Sequence, residues 1–295
     1  MNNISRKGII LAGGKGSRLS PLTMATSKQL MPVYDKPMIY YPLTTLMSSG
    51  ITEILIICNP NHLSSFENLL KDGSQWGLKI KYKCQISPDG IAQAFLLGEE
   101  FIGNSEVALI LGDNLFYGHN FDKDLKEANK NIKKATLFAY PVSDPSRYGI
   151  VDFDNFNNVI DIKEKPNNPI SKYAVTGLYF YDNKVVEFAK RLKPSERGEL
   201  EITDINLRYL KNENLKVIKL GPGMAWLDTG TFDSLQEAGA FIRTLERRQG
   251  LKIGSPEETA WKLGLINDKQ LNKIALEISK SSYGQYLLDL INKQS

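Results

Sequence analysis

Hydrophobic residues in the first half of the chain fall into short unbroken runs separated by longer stretches with helical spacing. The unbroken runs, which are typical of strands buried on both faces, cover residues 9–12, 54–58 and 107–111. The stretches with helical spacing predict helices over residues 38–49, 61–71, 91–101 and 122–133. Strands that alternate with helices in this way predict a parallel sheet covered by helices, with a ligand site at the carboxyl ends of the strands.

Apolar and polar residues alternate more strictly in the second half of the chain. Two alternating stretches flank a polar turn at residues 155–158 and predict an antiparallel hairpin over residues 148–163. Further strands are predicted at residues 79–84, 135–142, 173–181 and 216–220, and further helices at residues 184–192, 201–211 and 232–249. From residue 256 onward the pattern is helical only.

These elements predict an α/β protein. We expect a Rossmann-like, mixed but mostly parallel sheet flanked by helices, joined to an antiparallel part and a C-terminal helical cluster. The expected division is one α/β domain over residues 1–250, followed by a helical segment over residues 251–295 that packs on it.

Composition and charge narrow the classes of function. The 295 residues are 42% hydrophobic and 24% charged, and the net charge of +4 is too small to indicate a nucleic-acid partner. Because no apolar run reaches membrane-spanning length and residues 1–7 lack the apolar core of a signal peptide, we expect a cytoplasmic protein without a membrane partner. Cys58 and Cys84 lie in strand-like runs, which favours core thiols over a disulfide or a redox pair.

The first predicted strand runs directly into a glycine-rich segment, Gly13-Gly14-Lys15-Gly16-Ser17-Arg18-Leu19. Glycine allows backbone N–H groups to turn toward a ligand, and nearby cations favour an anion, so the segment predicts a phosphate cradle. Leu19 stands where a dinucleotide-binding turn needs its third glycine, and the Walker pattern does not occur in the sequence. An acid that could bind ribose is also missing after the second strand, so a nicotinamide-dependent oxidoreductase is excluded.

Two aspartates are candidates for chemistry beside that cradle. Asp113 closes a buried strand, and Asp228 precedes the predicted helix over residues 232–249. On local grounds either could instead cap a helix or form a turn, and Glu164-Lys165-Pro166 could be a salt-bridged surface turn. Transfer of a nucleotidyl group needs cations and a hard divalent ion held by carboxylates, because its transition state spreads negative charge over phosphate oxygens.

The chain resembles the bacterial glucose-1-phosphate thymidylyltransferases, a branch of the sugar-phosphate nucleotidyltransferases. The resemblance covers residues 7 to about 288 and rests on the glycine-rich segment together with the motifs at residues 27–42, 87–90, 111–114, 147–149, 164–166, 173–179, 198–204 and 226–231. It implies a nucleotide-diphospho-sugar transferase fold and a magnesium-dependent reaction of dTTP with glucose 1-phosphate. The products would be dTDP-glucose and pyrophosphate, in the first step of dTDP-rhamnose or other deoxysugar synthesis.

The resemblance also implies roles for individual residues. The nucleotide-binding part, about residues 1–142, would use Leu11, Gly13, Gly14, Ser17, Arg18, Lys28, Gln29, Gln85, Pro88, Gly90 and Asp113. The sugar-binding part, about residues 143–230 together with one residue from the nucleotide-binding part, would use Asn114, Tyr148, Gly149, Glu164, Lys165, Val175 and Trp226. The implied catalytic residues are Arg18, Lys28, Lys165, Asp113 and Asp228, and the last two are the implied magnesium ligands. Ile86 stands where members of the family often have proline.

Assembly and regulation are expected from the resemblance alone. Members of the family are typically homotetramers inhibited by dTDP-rhamnose at a second site, which would lie near Tyr117-Gly118-His119, Gly221 and Glu257-Glu258. The sequence alone favours His119 as an ordinary loop histidine. Two other functions stay open: an enzyme that uses UTP or another sugar phosphate, and a non-catalytic nucleotide-binding regulator. The regulator is disfavoured because all five implied catalytic residues are present.

Overall fold

The computed structural model of the protein describes residues 6–292. Its strands are β1 (Lys7–Ala12), β2 (Pro32–Val33), β3 (Lys36–Pro37), β4 (Glu53–Cys58), β5 (Lys79–Cys84), β6 (Val107–Leu111), β7 (Asn114–Gly118), β8 (Ala135–Pro141), β9 (Gly149–Phe153), β10 (Val159–Glu164), β11 (Tyr173–Tyr181), β12 (Leu215–Lys219) and β13 (Met224–Asp228). Its helices are α1 (Tyr40–Ser48), α2 (Leu63–Leu70), α3 (Gln93–Leu97), α4 (Glu99–Ile102), α5 (Phe121–Lys130), α6 (Val185–Lys190), α7 (Ile202–Lys211), α8 (Phe232–Gln249), α9 (Pro256–Lys262), α10 (Asp268–Glu277) and α11 (Ser282–Asn292).

A nine-stranded mixed sheet forms the centre of the fold. Its main path is β10-β9-β11-β6-β1-β4-β5, and β8 and β12 join it through β11. The half made of β6, β1, β4 and β5 is parallel, whereas β11 runs antiparallel to β6, β8 and β9. The predicted fold class, a mixed sheet flanked by helices with an antiparallel part, is therefore confirmed.

The unbroken apolar runs are explained by burial on both faces of the sheet. Along β1, Ile9 and Ile10 point to opposite faces, and each is fully buried in a different hydrophobic cluster. Burial of such a side chain contributes about 1.5–3 kcal/mol to folding. Leu11 of β1 is paired with Leu111 of β6, so the chain leaves both strands at the same edge of the sheet, at Gly13 and Asp113.

The predicted helix over residues 91–101 is wrong in one respect, because α3 and α4 are separate short helices that meet at Gly98. A Cβ at Gly98 would lie 2.9 Å from Cδ1 of Ile9 and 3.0 Å from the carbonyl oxygen of Ala94. The glycine therefore allows this segment to pack closely against β1. Its low helix propensity also favours the break there.

The sequence pattern did not predict the ribbon formed by β7 and β13. These two strands pair antiparallel, with Leu227 opposite Leu115 and Asp228 opposite Asn114. Each strand has only 5 residues, and the two are separated by more than one hundred positions along the chain. The pairing places Asp228 next to the residue that follows Asp113.

The helix that follows Asp228 is capped by a different residue. The Thr231 hydroxyl accepts a hydrogen bond from the Ser234 backbone N–H at 3.2 Å, and the Ser234 hydroxyl accepts one from the Thr231 N–H at 2.9 Å. This reciprocal capping box starts α8. The interpretation of Asp228 as the cap of this helix is therefore wrong. Asp113 leads into β7 and caps no helix either.

The C-terminal residues form the predicted helical cluster, α9 to α11, and a buried ion network lies near its start. Lys36 contacts Glu246 at 2.7 Å and Asp35 at 2.6 Å, and Lys252 pairs with both of those carboxylates. None of the helices within residues 6–292 is long and apolar enough to cross a membrane. Both cysteines are free thiols, and burial raises the pKa of Cys58 to about 12.

Candidate active site

A cleft of about 590 Å³ opens beside the carboxyl ends of β1 and β6. Many of the residues expected to act in catalysis, metal binding or sugar binding line it together: Arg18, Asp113, Asn114, Tyr148, Gly149, Glu164, Lys165, Val175, Trp226 and Asp228. They come from the glycine-rich segment, the ends of β6 and β13, the hairpin β9–β10 and strand β11. The fold thus brings together residues that are distant in the sequence.

The glycine-rich segment contributes Arg18 to this cleft. Gly16 adopts a left-handed conformation with φ of +61°, which a glycine accepts at low cost, and a short 3₁₀ turn follows it. Leu19 is fully buried and anchors that turn, whereas Arg18 is exposed beside the cleft. A Cβ at Gly230 would lie 3.2 Å from Nη2 of Arg18, so the guanidinium reaches the segment just after Asp228.

Asp113 has a partner at each of its carboxylate oxygens. Nζ of Lys28 lies 2.5 Å from Oδ2, and Nδ2 of Asn114 donates to Oδ1 at 3.0 Å. The Lys28 side chain is only 6% exposed. A buried cation needs a compensating charge, and this ion pair supplies it for Lys28.

Asn114 connects Asp113 to the neighbouring strands. Its Oδ1 accepts hydrogen bonds from the Gly177 backbone N–H at 3.0 Å and from Nε1 of Trp226 at 2.6 Å. A Cβ at Gly177 would lie 2.7 Å from that oxygen, so a larger residue there would displace the amide. The network fixes the floor of the cleft, where β6, β11 and β13 meet.

Asp228, at the end of β13, also lines the cleft. Its Oδ2 lies 3.6 Å from Nη2 of Arg147. Burial, and then the negative charge of Asp228, raise the pKa of Tyr148 to about 12, so the phenol keeps its proton at neutral pH. The rings of Tyr148 and Trp226 lie 5.2 Å apart and form an aromatic wall beside the carboxylate.

The end of β10 and the start of α7 supply the charged side of the cleft. Glu164 accepts a hydrogen bond from the Thr203 hydroxyl at 2.6 Å and one from Nη2 of Arg197 at 3.3 Å. Burial opposes the charge of Arg197, but its hydrogen bond and ion pair with Glu201 outweigh this and raise the pKa of the guanidinium. Glu164 and Lys165 therefore line the cleft and do not form an isolated surface turn.

Lys165 has an unusual backbone conformation. Its φ is +41°, in the left-handed region that residues other than glycine rarely adopt, and its N–H donates to the Tyr148 carbonyl at 3.0 Å. Such conformations persist only where surrounding structure enforces them, and they cluster at functional sites. Nζ lies 3.9 Å from Oε1 of Glu164 and is about half exposed. The ammonium group is therefore available to a ligand in the cleft.

The other residues expected to bind the nucleotide form a second group along the chain: they lie on β1 and in the segments that follow β1 and β5, and they do not line this cleft. This group contains Leu11, Gly13, Gly14, Ser17, Lys28, Gln29, Gln85, Pro88 and Gly90. Oε1 of Gln85 lies 1.9 Å from where a Cβ of Gly13 would stand, so only glycine fits there. No atom lies within 4 Å of the corresponding position at Gly14, so that side of the loop faces open space. Lys28 joins the two groups through its ion pair with Asp113.

Two arginines of the cleft were missed by the sequence reasoning. Arg147 and Arg197 both line it, together with Thr203 and Asn206 of α7. The signal was present, because Arg147 directly precedes Tyr148 and Arg197 directly precedes the motif at residues 198–204. A cation adjacent to such a motif is a candidate for phosphate binding.

A second cavity, of about 1320 Å³, lies next to β7 on another side of the molecule. Tyr117, Gly118 and His119, expected at a regulatory site, line it. Five lysines also line it: Lys123, Lys126, Lys130, Lys252 and Lys262. Gly221 and Glu257 stand outside this lining, and Glu258 pairs with Lys262 at 2.6 Å. Glu257 is buried and accepts hydrogen bonds from Tyr283 and Trp76.

Comparison with known proteins gives consistent matches over nearly the whole chain. The model of the nucleotidyl transferase family matches residues 7–244. A glucose-1-phosphate thymidylyltransferase from Neisseria meningitidis is 56% identical over 97% of this chain and 100% of its own length. One from Mycobacterium tuberculosis is 54% identical over 97% of this chain and 99% of its own length.

Solved structures show the same architecture. A structure from Bacillus anthracis, assigned as a glucose-1-phosphate thymidylyltransferase and in complex with a sucrose, is 44% identical. It superposes with a TM-score of 0.74 over 81% of this chain and 96% of that chain. A UDP-glucose pyrophosphorylase complexed with UDP-glucose is 25% identical, with a TM-score of 0.70 over 82% of this chain and 99% of that chain.

Proposed function

The chain belongs to the nucleotidyl transferase family, as a member of its glucose-1-phosphate thymidylyltransferase branch, and on this premise we propose how the cleft performs the reaction. The enzyme transfers a deoxythymidylyl group from dTTP to glucose 1-phosphate and forms dTDP-glucose and pyrophosphate. The assignment of roles to individual residues rests on one observation. Arg18 of the glycine-rich segment, both candidate aspartates and the glucose-side residues line a single cleft.

The nucleotide is proposed to lie across the ends of β1 and β5. The thymine base would contact Gln85, and the triphosphate would lie along the glycine-rich segment toward Arg18. Backbone N–H groups and a nearby guanidinium favour a polyanion there. The triphosphate would also give Lys28 a new anionic partner, which would release the carboxylate of Asp113.

The donor set of the cleft fits magnesium. Asp113 and Asp228 offer hard carboxylate oxygens in one cleft, and the β7–β13 register places Asp228 opposite Asn114, the residue after Asp113. Within residues 6–292, no cluster of three or more histidine, cysteine, aspartate or glutamate side chains is arranged to hold a metal. Two carboxylates completed by substrate phosphates and water are a common arrangement for Mg²⁺. When bound, the ion would neutralise charge that develops on the phosphate oxygens.

Glucose 1-phosphate is proposed to bind on the opposite side of the cleft. Lys165 and Arg197 would hold its phosphate, Glu164 would accept hydrogen bonds from sugar hydroxyls, and the aromatic wall of Tyr148 and Trp226 would contact the ring. A phosphate monoester is already an anion near pH 7, so the attacking oxygen needs no general base. Catalysis would come from positioning and from stabilised charge.

The chemical step is an in-line displacement at the α-phosphorus. An oxygen of the sugar phosphate forms a bond to this phosphorus, and the bond to the bridging oxygen between the α- and β-phosphorus breaks. The electron pair of that bond leaves with pyrophosphate. Arg18 is the cation proposed to stabilise the departing group, because it stands on the glycine-rich segment and also reaches the segment after Asp228.

Initial rates with dTTP, UTP and dCTP test this assignment. We expect dTTP to be used well and UTP to be used at a measurable rate, because the base pocket discriminates the methyl group of thymine by only about 1–3 kcal/mol; the 2′-hydroxyl of UTP is the other difference between the two substrates. Product formation is measured as pyrophosphate release, with and without EDTA. Equal rates with dCTP would contradict the thymidylyl assignment, and undiminished release in EDTA would contradict the magnesium site.

Replacing Lys165 by alanine should raise KM for glucose 1-phosphate by roughly tenfold to a hundredfold while KM for dTTP changes little. The reason is that its ammonium group would contact only the acceptor phosphate. Lys163→Ala is the matched control, because that lysine lies two positions earlier, on β10, and pairs with Asp152 outside the cleft. A loss confined to dTTP binding would show that this role is wrong.

Regulation, assembly and location remain proposals as well. The second cavity carries five lysines beside Tyr117 and His119; Lys252 and Lys262 are paired with carboxylates, so Lys123, Lys126 and Lys130 are the cations proposed to meet a diphosphate ligand such as dTDP-rhamnose. This supports a feedback site there. The predicted homotetramer, cytoplasmic location and division into domains stay predictions.

A further inference from the structure

Three side chains form a hydrogen-bonded chain behind the proposed base site. Nε2 of Gln93, the first residue of α3, donates to Oδ2 of Asp89 at 2.8 Å. Oε1 of Gln93 accepts from the Asp89 backbone N–H at 3.2 Å and from Nε2 of Gln85 at 2.5 Å. These hydrogen bonds therefore link the carboxylate of Asp89, through the Gln93 amide, to the Gln85 amide, which lies against Gly13.

The direction of each hydrogen bond in this chain is set by chemistry. A carboxylate can only accept and a backbone N–H can only donate, so Asp89 fixes which end of the Gln93 amide is nitrogen and which is oxygen. That orientation turns Oε1 of Gln93 toward Gln85. Gln85 must then present its Nε2, because two amide oxygens facing each other would repel and leave both unsatisfied.

Because Gln85 is buried, turning its amide by 180° would cost free energy. Gln85 is only 2% exposed, and its Oε1 lies against the backbone of Gly13 in the glycine-rich segment. Water therefore cannot replace the hydrogen bonds that a flipped amide would lose, and the flip costs the full free energy of those bonds. Gln93 itself is half-buried, at the start of a helix, and its side-chain amide bonds to both Asp89 and Gln85.

We propose that Gln93 is a positioning residue that fixes the orientation of the Gln85 amide and so selects pyrimidines with an N3–H beside a C4 carbonyl. The inference rests on the proposed function, in which the base of the nucleotide contacts Gln85. In the fixed orientation Gln85 offers Oε1 as an acceptor and the second hydrogen of Nε2 as a donor. This pattern matches the N3–H and O4 of thymine or uracil.

Cytosine presents the opposite pattern on that edge. Its N3 accepts and its exocyclic amine donates, so it would match a Gln85 amide turned by 180°. The hydrogen bond to Gln93 opposes that turn. Thymine and uracil share the same N3–H and O4, so this device does not distinguish them from each other.

The test is Gln93→Ala, with kcat/KM measured for dTTP, UTP and dCTP. Loss of one hydrogen bond that fixes the amide should reduce the preference for dTTP over dCTP by roughly tenfold. The ratio of dTTP to UTP should stay within about twofold. A change that only disturbed the fold would lower all three values together and leave both ratios intact.

Two further variants separate the positioning role from other effects. Gln93→Glu keeps an acceptor for Nε2 of Gln85 but loses the donor to Asp89, so it should retain the dTTP preference despite a lower melting temperature. Ser87→Ala removes the Ser87 hydrogen bond to Asp89 at the far end of the network and should retain that preference. An unchanged dTTP-to-dCTP ratio in Gln93→Ala, or an equal loss in Ser87→Ala, would overturn the inference. If the wild-type enzyme showed no preference for dTTP over dCTP, the proposed function itself would be at fault.

Discussion

Replacing Asp228 by asparagine should lower kcat on the order of a thousandfold while the protein stays folded. The substitution preserves size and removes one negative charge from the carboxylate pair proposed to hold magnesium. Asp228 is paired with Arg147 at 3.6 Å, and its side chain is 27% exposed, so its loss leaves no deeply buried charge without a partner. The expected effect is therefore on catalysis and not on stability.

This prediction is checked by pyrophosphate release across a magnesium titration, with thermal unfolding measured in parallel. Asp233→Asn is the matched control, because Asp233 lies five positions further along the chain and is exposed in the first turn of α8. The control should keep its kcat within about twofold. Near wild-type rates for Asp228→Asn in excess magnesium would argue against a metal site built from two carboxylates.

Asp113→Asn should reduce kcat as strongly, but its effect on stability should differ. Lys28 is buried against Asp113, so loss of the carboxylate leaves that cation without its partner. We expect a destabilisation of about 1–3 kcal/mol in addition to the loss of turnover. In the double variant Lys28→Met with Asp113→Asn, part of this stability should return while turnover should not. Recovery of turnover would contradict the catalytic role of Asp113.

Replacing Arg18 by alanine should lower kcat by roughly a hundredfold to a thousandfold. The guanidinium is exposed beside the cleft and is proposed to meet the charge that develops on the leaving pyrophosphate. The reverse reaction, in which pyrophosphate attacks dTDP-glucose, passes through the same transition state and should be slowed by a similar factor. The melting temperature should stay nearly constant, because Arg18 is exposed.

The measurement compares forward and reverse rates for Arg18→Ala and for Lys15→Ala. Lys15 lies on the same segment and is also exposed, but it does not line the cleft, so its removal should cost only a few-fold. Arg18→Lys should restore part of the activity, since a point charge replaces the guanidinium without its planar geometry. Equal effects of Lys15→Ala and Arg18→Ala would show that general electrostatic attraction, and not a specific contact, explains the result.

Much of the fold could be predicted because the relevant signals are local. A strand buried on both faces needs an unbroken apolar run, and β1, β4 and β6 lie where such runs occur. Helix α8 spans the predicted residues 232–249 for a similar reason, since its amphipathic spacing is strong. Candidate site residues were also found locally, because a glycine-rich turn with cations carries its own chemical signature.

Local sequence patterns could not show how these strands and helices pack against one another. The β7–β13 ribbon depends on two short strands whose pairing is decided by packing against the rest of the molecule, and no pattern within either strand identifies its partner. The positions of Arg147 and Arg197 in the cleft depend in the same way on how the hairpin and α7 pack against the central sheet. The hydrogen bonds that link Asp89, Gln93 and Gln85 depend on how the start of α3 lies against the segment that follows β5.

The sequence by itself therefore determined where the buried strands of the sheet would form, and it supplied candidate side chains for binding phosphate and metal. Only the tertiary structure decided that Asp113 and Asp228 face the same cleft and that Thr231, and not Asp228, begins the following helix. The physical reason is that apolar patterning and backbone preference can be read from residues that are close together in the sequence. Convergence of side chains, in contrast, depends on strand register and helix packing between residues far apart in sequence.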